Sequence, residues 1–88
     1  MTIWKFPLQT VGMQSVQMPR NARILCVQVQ RCEPCLWAMV DETKPLVERR
    51  IRIIGTEHPI DASAVLHYIG TYQLDGGGLV FHVFEDAT

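Results

Sequence analysis

Apolar and polar positions alternate with a period of two along most of the chain, and the apolar runs are short, rich in β-branched and aromatic residues, and separated by Pro, Gly, Asn and Asp. This predicts strands. Thr2 to Phe6 reads as a first strand stopped by Pro7, and Met13 to Met18 as a second with Val16 and Met18 on one face, before Pro19-Arg20-Asn21 turns the chain. Arg23 to Gln30 alternates most clearly, which places Leu25, Val27 and Val29 on a core face and Cys26, Gln28 and Gln30 on a wet one. After a turn from Arg31 to Pro34, Cys35 to Val40 is apolar on both faces, as in a central strand covered twice or one that lends a face to an interface. Asp41 to Glu48 reads as loop, and Arg49 to Ile54 as a strand in which Ile51 and Ile53 oppose Arg50 and Arg52. Gly55 to Ala64 is a connection with one helical turn expected near Asp61 as its N-cap. Leu66 to Leu74 and Leu79 to Phe84 flank Asp75-Gly76-Gly77-Gly78, four residues that tolerate positive φ, and so form a hairpin. The fold class is all-β: a small, meander-rich antiparallel sheet or barrel with at most one short helix.

Composition fits this picture. Eighty-eight residues make one domain, and a chain 48% hydrophobic and 19% charged belongs with globular proteins rather than disordered ones. A formal charge of −1 supports neither a polybasic nucleic-acid binder nor an acidic mimic of one. The start lacks a basic segment followed by an apolar one, and no window approaches 18 apolar residues, so neither a signal peptide nor membrane association is expected. An odd count of cysteines, Cys26, Cys32 and Cys35, points to a reducing cytoplasm.

Catalytic and metal patterns are thin. Cys32-Glu33-Pro34-Cys35 has a spacing that holds two zinc thiolates or a redox pair, but a second ligand pair and a following helix are both missing, which leaves two small residues flanking a turn. His58, His67 and His82 stand far apart in sequence; neighbouring strands could gather two of them, while ordinary hydrogen bonds explain them as well. Ser15 and Ser63 lack a nucleophile context, and the Asp75 loop lacks the helix and Lys-Ser/Thr of a phosphate-binding loop. The chain therefore reads as no enzyme, with no cofactor.

The richer constellation joins aromatic rings to arginines. Trp37, Tyr68 and Tyr72 offer stacking faces, Arg49, Arg50 and Arg52 offer planar forks for phosphate or carboxylate, and Thr56, His58, Thr71 and Gln73 offer neutral polar contacts. Such a set suits a nucleotide pocket. It equally suits a protein interface, and the same residues could instead be core aromatics and solvated arginines that blunt strand edges.

Ile3-Trp4-Lys5-Phe6-Pro7-Leu8, Ala22 to Gln28, Pro34 to Asp41, Gly55 to Ile60, Tyr68 to Gln73 and Val80 to Glu85 together resemble a family of small proteins from bacteriophages and prophages, over nearly the whole chain. The resemblance implies a viral origin and the host cytoplasm, and carries no catalytic residues across. By analogy with small accessory phage proteins, it implies a non-enzymatic counter-defence factor that sequesters a small anionic ligand such as a nucleotide immune signal. Apolar residues on both faces of Cys35 to Val40 give so small a domain more apolar surface than one core hides, so a homo-oligomer is expected, with the ligand pockets at its subunit interfaces. The alternative is an inhibitor that docks on a host defence protein such as a CRISPR surveillance complex; a virion or assembly component is a third class.

Overall fold

In the computed structural model, which describes residues 1–88, the alternating runs become seven antiparallel strands and the only helical element is a 3-10 turn at Asp75–Gly77. The strands are β1 (Thr2–Pro7), β2 (Met13–Pro19), β3 (Arg23–Gln30), β4 (Glu33–Val40), β5 (Leu46–Gly55), β6 (Leu66–Leu74) and β7 (Leu79–Asp86). The fold is all-β, as the period of two requires, and no helix is long and apolar enough to cross a membrane. A three-stranded sheet of order β1-β4-β3 lies over a four-stranded one of order β2-β5-β7-β6. Sequence neighbours pair only in the β3–β4 and β6–β7 hairpins; β1 reaches β4, and β2 crosses to β5 in the other sheet. The shortest dimension is 16 Å, two sheets and no third layer.

The two inner faces make the core. Ile51, Ile53, Val83 and Tyr72 of the larger sheet meet Val27 and Leu36 of the smaller one, with Leu8 closing one end. A second cluster, Met18, Ala22, Ala38 and Val40, closes the other end, and Phe6, Val16 and Ile24 touch both. Each fully buried aliphatic side chain contributes about 1.5–3 kcal/mol, so these two rows supply most of the drive to fold. β4 is the central strand of its sheet, but with no third layer only one of its two apolar faces is covered: Leu36, Ala38 and Val40 are wholly buried inside, and Trp37 and Met39 are left half-buried outside.

Four local expectations change. Of the proposed core face of β3 only Val27 is buried, while Leu25 and Val29 stay 40% and 37% exposed. A β-bulge between Ile24 and Cys26 gives β3 one extra residue, which turns Ile24 inward in place of Leu25. The Asp41 to Glu48 loop is shorter than expected, since β5 already begins at Leu46, opposite Pro19. The turn into β4 shrinks to Arg31 and Cys32, both at positive φ (52° and 66°), the signature of a two-residue hairpin turn, and Pro34 lies in the strand opposite Val29. Asp61 caps no helix: its carboxylate accepts from the Ser63 amide and hydroxyl in a local turn, and Ala64 N–H closes that turn on the Asp61 carbonyl.

Candidate functional site on the larger sheet

The pleat of the four-stranded sheet sorts its side chains, interrupted only by a bulge at Ile69 of β6. Because Ile51, Ile53 and Val83 point inward, Arg50, Arg52 and Ile54 of β5 point outward, as do His82 and Phe84 of β7 and Tyr68, Thr71 and Gln73 of β6. Pairing registers align them in rows across the strands. One row runs Met13, Arg52, Phe84, Tyr68, and the next runs Ile54, His82, Thr71. Tyr68, 63% exposed, packs edge-on against Phe84 with ring centroids 5.6 Å apart. A polar chain continues the face: the Tyr68 and Thr71 hydroxyls are 2.6 Å apart, Thr71 lies 3.0 Å from His82 Nδ1, and Thr56 lies 2.8 Å from His82 Nε2. Arg50, Arg52, Thr56, Tyr68, Thr71 and Gln73 thus share one surface.

The remaining candidates lie elsewhere. Tyr72 is core, 3% exposed, its ring tilted on Phe81 and its hydroxyl 2.8 Å from Thr10; burial pushes its phenol up despite that hydrogen bond. Trp37 sits on the outer face of the smaller sheet, between Lys5 and Cys26. Arg49 shares the inward parity of Ile51 and lies between the sheets, where its guanidinium grips both Glu85 carboxylate oxygens and donates to the Ala22 carbonyl at 2.8 Å. The three arginines therefore do three jobs.

Arg52 is held as well, though at the surface. Its Nη2 donates to Asp86 at 3.0 Å, its Nε is buried without a partner, and Asp86 is only 6% exposed. Arg50 makes no ion pair at all. Hydrogen bonds from Thr88, and then Arg52, hold the Asp86 carboxyl below the ordinary carboxylate range. A folded-state pKa lowered in this way contributes stability that is complete above the unfolded-state value and is lost as pH falls through the folded one. Thermal stability should therefore fall on acidification below about pH 4, and Asp86→Asn should flatten that limb in part while lowering the neutral-pH melting temperature. The flattening is partial because Thr43 and Ser63 lower Asp41 and Asp61 in the same manner. A pH series of thermal melts on both proteins that gave parallel acid limbs would refute the assignment.

His58 stands where this face meets the end of the sandwich. Its amide donates to the Gly55 carbonyl at 3.1 Å, and a turn with Glu57 at φ 69° brings its ring close to Gly55, where a Cβ would stand 3.1 Å from Cε1 and Nδ1. Three depressions, of about 540, 430 and 190 Å³, all include His58 in their walls. The largest is an open groove on the arginine face, walled by Met13, Arg52, Ile54 and the His58-Pro59 segment. The histidines do not converge, since His67 takes the inward parity of Glu85 at the sheet edge and His82 faces outward. Cys32 is exposed in the hairpin turn, and Cys35 is buried, which raises its thiol pKa. No three His, Cys, Asp or Glu side chains gather closely enough to hold a metal ion.

Sequence reasoning left Phe84, Met13 and Gly12 out of this surface, and read His82 as one of three histidines that neighbouring strands could gather or that ordinary hydrogen bonds explain; its contacts with Thr56 and Thr71 are of the second kind. Phe84 and His82 carry a usable signal, because they recur at spacing two opposite the inward Val83. Met13 and Gly12 carry none, because their nearness to Arg52 depends on the cross-sheet path of β2. A family model described as a domain of unknown function (DUF7352) matches residues 1–88, and the chain matches no curated protein and no solved structure.

Proposed function

The chain belongs to the DUF7352 family, a domain of unknown function, and we propose that it is a non-catalytic binding protein that captures a small organic anion on the arginine face of the larger sheet. One observation carries this reading: Arg50, exposed and unpaired, stands two residues along β5 from Arg52, which walls a groove together with His58. Side chains at that spacing are about 7 Å apart, within reach of one phosphate-bearing ligand. Arg52 is balanced by Asp86, so Arg50 supplies the free positive charge and Arg52 a positioned donor. A nucleotide is the class that best matches arginines next to neutral hydroxyls, and in the phage setting that the sequence resemblance implies, capture of a host nucleotide signal disarms defence by stoichiometry alone. A second reading, docking on a host protein, draws on the outer face of the smaller sheet, where Ile3, Trp37, Met39 and Cys26 form a largely apolar surface; self-association is proposed on that same face.

Isothermal titration with nucleoside monophosphates tests the first reading. Arg50→Ala should weaken affinity about tenfold or more, the worth of one charge-assisted hydrogen bond, with the melting temperature nearly unchanged. No heat of binding at millimolar ligand, or an affinity indifferent to Arg50, would sink it.

A further inference from the structure

We infer that the ligand is an organic phosphate carrying a flat apolar ring, and that the ring passes His58 into a second, apolar lobe at the end of the sandwich. The inference rests on the anion reading and adds where the rest of the molecule lies. The groove on the arginine face and the next depression share His58 as their common wall. They differ in chemistry: Arg52 stands in the first, and Leu79, Val80 and Phe81 line the second. Each, at about 540 and 430 Å³, falls within the range of small-molecule sites, roughly 300–1,000 Å³. Charged through Arg52 at one end and uncharged along Leu79, Val80 and Phe81 at the other, the pair matches a ligand with a phosphate at one end and a ring at the other.

His58 is suited to stand between them. The histidine nitrogens that hydrogen-bond within the protein are those of His82, so both ring nitrogens of His58 are free for a ligand oxygen. Its ring lies close over Gly55, where a Cβ would stand 3.1 Å from Cε1 and Nδ1, and this contact places the imidazole between the lobes. In the apolar lobe, Leu79 is 48% exposed at the rim, and Phe81, like Gly55 and His58, also lines the third depression. The rival platform for a ring is Tyr68. It is the poorer one, because Tyr68 and Phe84 already pack edge-on against each other and the Tyr68 hydroxyl is tied to Thr71.

Titration of the full chain with inorganic phosphate, ribose 5-phosphate and adenosine monophosphate tests this. Adenosine monophosphate should bind at least tenfold more tightly than ribose 5-phosphate. That gain should vanish in Leu79→Glu, which puts a carboxylate at the rim of the lobe, and persist in Tyr68→Ala; His58→Ala should weaken both organic phosphates. Melting curves confirm that each variant is folded, and Leu79→Gln serves in place of Leu79→Glu if the latter is not. A ring gain that survives at Leu79 but disappears in Tyr68→Ala would put the ring on the Tyr68 and Phe84 row, and so overturn the inference while leaving the anion reading intact. Equal affinity for the two organic phosphates would overturn it too. Binding of none of the three probes would remove both readings.

Discussion

Gly70→Ala should lower the melting temperature by about 5–20 °C, the shift expected when overpacking costs roughly 1–3 kcal/mol in a domain of this size. Gly70 lies opposite Val83 where β6 bulges after Tyr68, and its bare backbone faces β3 of the other sheet. A Cβ there would stand 2.7 Å from Val27 Cγ1 and 3.7 Å from the Val27 amide nitrogen. Val27 is 6% exposed, in the core, and its β-branched side chain is stiff at χ1, so it gives way at a cost. The sheets must therefore part locally, where β6 packs against β3. Shortening the opposing side chain should relieve the clash, so Gly70→Ala with Val27→Ala should cost clearly less than the sum of the two single changes, as coupled neighbours do. Additive losses in thermal melts would show that Gly70 is not there for close approach.

That contact marks the limit of what was legible in the sequence. Strand number and parity are local properties, and the alternation in Arg49 to Ile54 correctly sends Ile51 and Ile53 inward and Arg50 and Arg52 outward. The Asp75 to Gly78 loop likewise falls between β6 and β7, with Asp75, Gly76 and Gly77 at positive φ. A bulge breaks the argument, because one inserted residue reverses parity beyond it without any signal from hydrophobicity; Leu25 and Ile24 exchange roles for that reason alone. Strand order is a further step away. Nothing in β1 or β2 announces that each will skip its neighbour and pair with β4 and β5.

The candidate surface divides along the same line. Arg50, Arg52, Tyr68, Thr71 and Gln73 come together because each has the outward parity of its own strand and the three strands are neighbours. Tyr72 shares the run of Tyr68 but not its side of the sheet: the bulge at Ile69 lets Tyr68 face out and Tyr72 face in. Trp37 belongs to the other sheet, a fact that rests on topology and not on residue type.

Arg49→Ala should destabilise the protein by about 2–3 kcal/mol, whereas Arg50→Ala, one residue on, should change stability by less than about 0.5 kcal/mol. The pair with Glu85 is bidentate and lies between the sheets, with about a fifth of the Arg49 side chain and a quarter of the Glu85 side chain exposed (20% and 24%), so the loss falls short of the 3–5 kcal/mol typical of breaking a fully buried pair. Hydrogen bonding to Glu85 raises the Arg49 pKa against the opposing pull of burial, and the third donor holds the Ala22 carbonyl where β2 hands the chain to the other sheet. Truncation therefore strands a carboxylate and a carbonyl together. Replacing both partners by apolar residues of similar length, Arg49→Met with Glu85→Met, should recover much of the loss, because no charge is then left without its partner. Urea denaturation of the two arginine variants and the double replacement measures all three expectations. If Arg49→Ala proved as mild as Arg50→Ala, the guanidinium would be a solvated surface group like its neighbour, free to join the anion site from which its place between the sheets removes it.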